Sequence, residues 1–120
     1  MRIFHIVDRG VWAAAVADGE YVPAAFAQDG FVHLSFAHQV AQVANARYRD
    51  ASELIVVEVD PSDLEVVVED SYGAGEEFPH VYAAIPVAAA VRTHELTRDG
   101  NGDWTFSPDV PRGASASLDR

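Results

Sequence analysis

The chain contains no cysteine and no lysine; all eight of its basic residues are arginine. Without cysteine there is no disulfide scaffold, no thiolate metal site and no cysteine nucleophile. Without lysine there is neither a Walker-type phosphate lysine nor Schiff-base chemistry. No apolar run approaches the roughly 18 residues of a membrane span, so no membrane partner is expected. Positive charge is scarce as well: the formal net charge is −11. A nucleic-acid partner held by phosphate neutralisation is therefore not expected. An anionic small molecule remains admissible, because backbone amides, histidines or a single arginine can hold one.

What is present fits a globular domain. The 120 residues are 49% hydrophobic, about the size at which one core closes. The opening residues Met1-Arg2-Ile3-Phe4-His5 enter a strand pattern directly, without the basic-then-apolar layout of a signal peptide. A soluble cytoplasmic protein is the expectation.

Residues 3–7 read as a first strand, and Asp8 as the cap of a short helix that Gly19 ends. Residues 20–29 read as a loop with a possible helical turn, and residues 31–35 as a second strand. A helix follows, with Phe36, Val40, Val43, Ala44 and Arg47 on one face. Residues 54–59 are an almost unbroken apolar run, as in a central strand. Asp60-Pro61 caps a turn, residues 65–69 form another strand, and an acidic, glycine-containing loop spans 70–77. Strands are also expected near 78–82 and over 91–97. The run Asp99-Gly100-Asn101-Gly102-Asp103 signals a turn before an edge strand at 104–107. One domain over 1–107, with a disordered tail over 108–120, is the expected organisation. Few, short helices do not suit parallel crossovers, so the fold class is α+β with mostly antiparallel, split sheets.

The candidate chemistry centres on Gly30-Phe31-Val32-His33-Leu34-Ser35. Strand alternation puts Val32 and Leu34 on one face and His33 with Ser35 on the other. An imidazole and a hydroxyl are thereby presented together, which suits a polar cleft; Ser35 equally suits a helix cap. His5 shares its strand face with Ile3 and Val7 and reads either as a cleft residue or as a core histidine bonded to a carbonyl. His80 enters from the acidic loop, a favoured location for function, and Tyr82 shares its face. Glu76 and Glu77 are each candidates for a general base or a ribose-binding carboxylate, although acidic loop residues are more often simply solvated. His38 and His94 read as surface residues. No histidine spacing suits a metal site, and no nucleophile elbow, dinucleotide fingerprint or phosphate loop occurs.

Several blocks taken together resemble a known family. Ile3-Phe4-His5-Ile6-Val7, Trp12, Gly19-Glu20-Tyr21, Gly30 to Ser35, Gln39-Val40, Val43-Ala44-Asn45, Glu58-Val59-Asp60 and Phe78-Pro79-His80-Val81-Tyr82 look like the small bacterial family called domain of unknown function 952. The resemblance runs in order over about residues 2–97. It implies an ADP-ribosyltransferase-like fold but no established activity. A more distant similarity links His33-Leu34-Ser35, the strand Leu54 to Asp60 and Ile85-Pro86 to the catalytic half of the NAD-dependent tRNA 2′-phosphotransferases.

That similarity implies NAD as the cofactor or cosubstrate. His5 and His33 would line its cleft, Ser35 would sit near a phosphate or ribose, and His80 with Tyr82 would close the third side. His33, His80 and Glu77 are the implied catalytic set, with His5, His33, Ser35 and Tyr82 binding the ligand. Glu77 stands in for the glutamate of the toxin-like transferases, whose motif is not matched here. The departures are specific: Ile6-Val7 replaces a Gly-Thr after the first histidine, Phe31-Val32 leaves only one histidine in the second block, and the charge speaks against tRNA. The implied activity is transfer or hydrolysis at the ribose anomeric carbon. The alternative is a non-catalytic sensor for a nucleotide or another anionic metabolite.

Overall fold

In a computed structural model that describes residues 1–108, β1 (Ile3–Asp8) runs straight into α1 (Arg9–Asp18). Asp8 makes that junction possible. Its backbone is still extended, while its carboxylate accepts from the Gly10 and Val11 amides at 2.9 and 3.2 Å. Two of the four amides that a helix start leaves unpaired are thus satisfied. Gly19 stops the helix at φ 95°, a left-handed conformation that side chains resist.

β2 (Glu20–Tyr21), the single-turn α2 (Phe26–Asp29) and β3 (Val32–His33) follow, and a 3-10 turn over Ala37–Gln39 leads into α3 (Val40–Arg47). The remaining strands are β4 (Leu54–Val59), β5 (Val66–Glu69), β6 (Phe78–Val81), β7 (Ile85–Pro86), β8 (Ala90–Glu95), β9 (Thr97–Arg98) and β10 (Trp104–Thr105). No helix among the described residues is long and apolar enough to cross a membrane.

Every strand pairing described is antiparallel. One three-stranded sheet has the order β1-β4-β8 and the other β3-β6-β5; β2-β7 and β9-β10 are two-stranded ribbons. The class is therefore α+β, with divided antiparallel sheets and few, short helices. The unbroken apolar run of β4 is explained by its position: it is central, and all six of its residues are buried. Each fully covered aliphatic side chain there is worth about 1.5–3 kcal/mol.

Alternation along β1 feeds two cores. Ile3 and Val7 join Val32, Leu34, Ile55, Val57 and Val59 on one side, while Phe4 and Ile6 join Val40, Ala44, Leu54, Val56 and Trp104 on the other. Residues 31–35 do not make one continuous ladder. Val32 and His33 pair with β6, but Ser35 changes partner and exchanges both backbone hydrogen bonds with Phe4, at 2.7 and 2.8 Å. This bridge stitches the edges of the two sheets together and brings His33 beside β1. The loop expected over 20–29 contains β2, which local pattern did not reveal because its partner β7 lies some 65 residues away. Apart from Pro108, the expected tail lies outside the described residues.

Candidate functional site

Where the two sheets meet, a cavity of about 710 Å³ opens between β1, the segment after β3, α3 and the acidic loop. Its volume lies within the range of small-molecule sites, roughly 300–1,000 Å³. His5, His33 and Ser35 all line it, and Arg47 comes from the α3 side. The lining is otherwise largely aliphatic and aromatic, with Ile6, Val7, Val43 and Phe78 among its members.

His5 is fixed at both ring nitrogens. Nδ1 lies 2.6 Å from the His33 backbone oxygen and Nε2 lies 2.7 Å from the Tyr21 hydroxyl. A carbonyl can only accept, so Nδ1 carries the proton and Nε2 accepts from Tyr21. Burial pushes the His5 pKa down to about 4 and that of Tyr21 up to about 12. Both groups are therefore neutral near pH 7. His5 contributes a polar but uncharged wall, locked by a partner that keeps its own proton.

His33 sits opposite His80 in the antiparallel register of β3 and β6. Directly paired residues share a face, so the two rings lie 5.5 Å apart. Phe31, two residues before His33, stacks on His80 at 4.1 Å and contacts His33 at 4.6 Å. On the cavity side, His33 Nε2 meets the Asp29 carboxylate at 2.8 Å. Its Nδ1 is hydrogen-bonded to the Tyr72 hydroxyl, which in turn lies 3.1 Å from His80 Nε2. His80 Nδ1 then meets Glu69 at 2.8 Å, and the Tyr82 hydroxyl donates to the same Glu69 oxygen. Those hydrogen bonds, from Tyr82 first and His80 second, hold the Glu69 carboxyl below its ordinary range. Burial raises the Tyr72 phenol, so it remains a hydroxyl.

The structure thus brings His5, His33 and Ser35 together on one cavity. His80 lies beneath it, wholly buried, and reaches His33 through Tyr72. Tyr82 is half exposed at the outer end of the same face, against Glu69. The Glu77 side chain is exposed, and its backbone oxygen accepts from Gln39 at 2.8 Å. Its neighbour Glu76, by contrast, lines the cavity, as do Asp8 and Asp29. Gln39 and Gln42 each donate to Glu76 at 2.9 Å, and these bonds lower its pKa.

Ser35 does not cap the next helix. Phe36 occupies the cap position, and the Gln39 side chain reaches back to the Phe36 amide at 2.9 Å. His38 is exposed, as expected. His94 differs from its expected surface position. Its side chain is 16% exposed, it bonds Glu58 at 2.6 Å, and it packs against Phe4 and Phe106.

Asp29, Arg47, Glu69 and Tyr72 were not singled out as site residues by the sequence. Asp29 had a usable signal, since it stands four residues before His33 across the Gly30 turn. Tyr72 is the one aromatic in the acidic loop over 70–77, and an aromatic among solvated carboxylates is itself a signal. Arg47 read as part of an apolar helix face; its guanidinium lies over the Tyr72 ring at 5.4 Å. Glu69 is invisible without the register that sets it diagonally beside His80.

Fold and site together define a class: a small antiparallel α+β domain whose two sheets meet at a ligand-sized cavity with strand histidines in its wall. More particularly, the chain belongs to the family described as "Protein of unknown function (DUF952)", whose profile matches residues 6–93. Solved structures of protein CC0527 from Caulobacter crescentus are similar to it. The crystal structure is 31% identical with a TM-score of 0.78, covering 88% of this chain and 94% of that one. The solution NMR structure is 32% identical with a TM-score of 0.74, covering 85% and 90%. No curated protein matches the chain.

Proposed function

We propose that the cavity binds NAD or another ADP-ribose-containing small molecule, and that the protein acts on it at the ribose anomeric carbon within an ADP-ribosyltransferase-like fold. The observation that carries this reading is the convergence of His5, His33 and Ser35 on one cavity of about 710 Å³, with Arg47 also in its lining. Apolar surface from Val43 and Phe78 offers stacking and packing for a base or nicotinamide ring. Arg47 and the Ser35 hydroxyl are suited to a diphosphate, while His5, neutral and bonded at both ring nitrogens, offers an uncharged wall.

Hydrolysis on this reading runs in a balanced sequence. The nicotinamide leaves with the electron pair of its bond to ribose, and positive charge develops at the ribose carbon. The Asp29 and Glu76 carboxylates face that charge across the cavity. Water attacks the carbon, and the Asp29 carboxylate, held at Oδ2 by His33 Nε2, takes on its other oxygen the proton that the water loses. The products are nicotinamide, ADP-ribose and one proton. With another acceptor hydroxyl or amine in place of water, the same steps give transfer.

A second reading keeps the ligand and drops the reaction. Both oxygens of Glu76 are occupied by glutamine side chains, which removes one carboxylate from chemistry and suits a sensor. Calorimetric titration with ADP-ribose and with NAD tests binding, and nicotinamide release tests turnover. Binding together with release that His33→Ala abolishes supports the enzyme. Binding without release, across varied acceptors, selects the sensor, and absence of binding to both compounds rejects both readings.

A further inference from the structure

Hydrogen-bond valence in the chain running from Asp29 to Glu69 does not balance for neutral side chains. Four links connect the five groups: Asp29 to His33 Nε2, His33 Nδ1 to Tyr72, Tyr72 to His80 Nε2, and His80 Nδ1 to Glu69. Each link needs one hydrogen. A neutral imidazole supplies one N–H, a phenol supplies one O–H, and an ionised carboxylate supplies none. His33, Tyr72 and His80 therefore bring three hydrogens to four positions. Left at three, one link would set two lone pairs against each other at hydrogen-bond distance, which is costly, most of all at the buried His80.

We propose that these five residues form a proton-sharing chain that holds one extra proton, and that Tyr72 passes it between the cavity-facing His33 and the buried His80. In one arrangement His33 is the imidazolium. It donates to Asp29 and to the Tyr72 oxygen, Tyr72 donates to His80 Nε2, and His80 Nδ1–H donates to Glu69. In the other, the Nδ1 proton of His33 has moved to the Tyr72 oxygen as the hydroxyl proton of Tyr72 moved to His80 Nε2. Two N–H or O–H bonds break and two form, nothing is oxidised or reduced, and all four links remain filled. Tyr72, His80 and Glu69 are positioning residues: they act on a ligand only through His33.

Other observations fit this chain. An imidazole holds a proton more tightly than a carboxylate, with ordinary values of ~6.5 against ~4, so the extra proton belongs on a ring. Glu69 is kept ionised by the Tyr82 hydroxyl and His80. The Phe31 ring contacts both imidazoles, so its π-face is available to a cation on either. The charged and titratable groups packed around the chain are Asp29 from α2, Arg47 and the neighbouring Tyr48 from the α3 end, Glu69 from β5, Tyr82 after β6 and neutral His5 from β1. Two carboxylates against one guanidinium leave room for one imidazolium. A second would have no hydrogen-bond position to fill.

The device deepens the reading of the cavity, because the place of the extra proton sets the charge on His33 beside the Asp29 carboxylate. Its test needs no ligand, so it stands or falls separately from the choice of NAD. Ring 15N shifts of His33 and His80, followed against pH in the full chain, read protonation at each nitrogen. The expected result is a shared curve: both rings move over the same pH interval, each with shifts intermediate between imidazole and imidazolium. Tyr72→Phe removes the relay atom and should split this into two independent curves. Tyr72 lies on a partly exposed loop, so the variant is expected to fold. Asp29→Asn supplies an amide N–H to His33 Nε2, so neutral side chains then fill all four links and the shared proton should leave at a lower pH than in the parent. Independent curves in the parent protein, or curves that Tyr72→Phe leaves unchanged, would overturn the proposal.

Discussion

Two histidine clusters lie in the two sheets, and they differ in a way that composition does not show. On β4 and β8, Glu58 is 8% exposed and bonds His94 at 2.6 Å, with Arg92 and Arg2 at 3.6 and 3.7 Å. On β3 and β6, His33 and His80 sit between Asp29 and Glu69. The first cluster is closed: one covered carboxylate meets three basic groups, and none of the four lines the cavity. The second is open at one end, where Asp29 and His33 reach the cavity, and its four links need one hydrogen more than its neutral side chains supply. Residue types alone would rank the clusters equally. Closure and hydrogen-bond count separate a charge pair that holds two strands from one that can act on a ligand.

The largest expected effect is on the closed cluster. Glu58→Ala strands His94 among apolar rings, and breaking a mostly buried pair of this kind costs about 3 kcal/mol. Urea denaturation measures that loss, while ADP-ribose affinity should be unchanged. A loss of affinity would break the comparison by making Glu58 part of the site.

His5 gives the next effect, and its sign follows from its environment. Folded His5 has a pKa of about 4, below the ordinary imidazole value of ~6.5. Between those values the unfolded chain takes up a proton that the folded chain refuses. The stability that neutral His5 contributes is therefore fully present above pH ~6.5 and is lost as pH falls toward 4. The slope approaches ~1.4 kcal/mol per pH unit. Comparing urea midpoints of the parent and His5→Gln from pH 7 to 5 isolates this contribution, because the variant lacks it. Parallel pH profiles would show that His5 is not held neutral.

Smaller changes sharpen the contrast at the open end. His33→Ala should weaken ADP-ribose binding at least tenfold, about 1.4 kcal/mol, while costing under about 1 kcal/mol of stability. The opposite balance would return His33 to a structural role. Tyr21→Phe removes the hydroxyl that His5 Nε2 accepts from. It should cost about 1 kcal/mol, the net worth of one such bond, read as a shift in the urea midpoint.

Local physics made part of this molecule legible in the sequence. Asp8 and Gly19 mark the ends of α1 because capping is decided within four residues. The apolar run of β4 marks a central strand because both faces of such a strand are covered. Alternation alone puts Val32 and Leu34 in the core and His33 opposite them. What stayed hidden depends on register and on partners distant in the chain. Ser35 turns from β6 to β1, His33 faces His80 across 47 residues, and Tyr72 reaches over both from a loop. His94 read as a surface residue because β8 is mostly polar; its cover comes from Phe4 and Phe106, which no pattern within β8 announces.

The central claim, that the open cluster and its cavity are the ligand site, is tested most directly by mapping amide and histidine side-chain NMR shifts while ADP-ribose is added. The account predicts saturable changes at His33, Tyr72, Arg47 and Asp29, with Glu58, His94 and Arg92 still. Changes centred on His94, or none at saturating ligand, would contradict it.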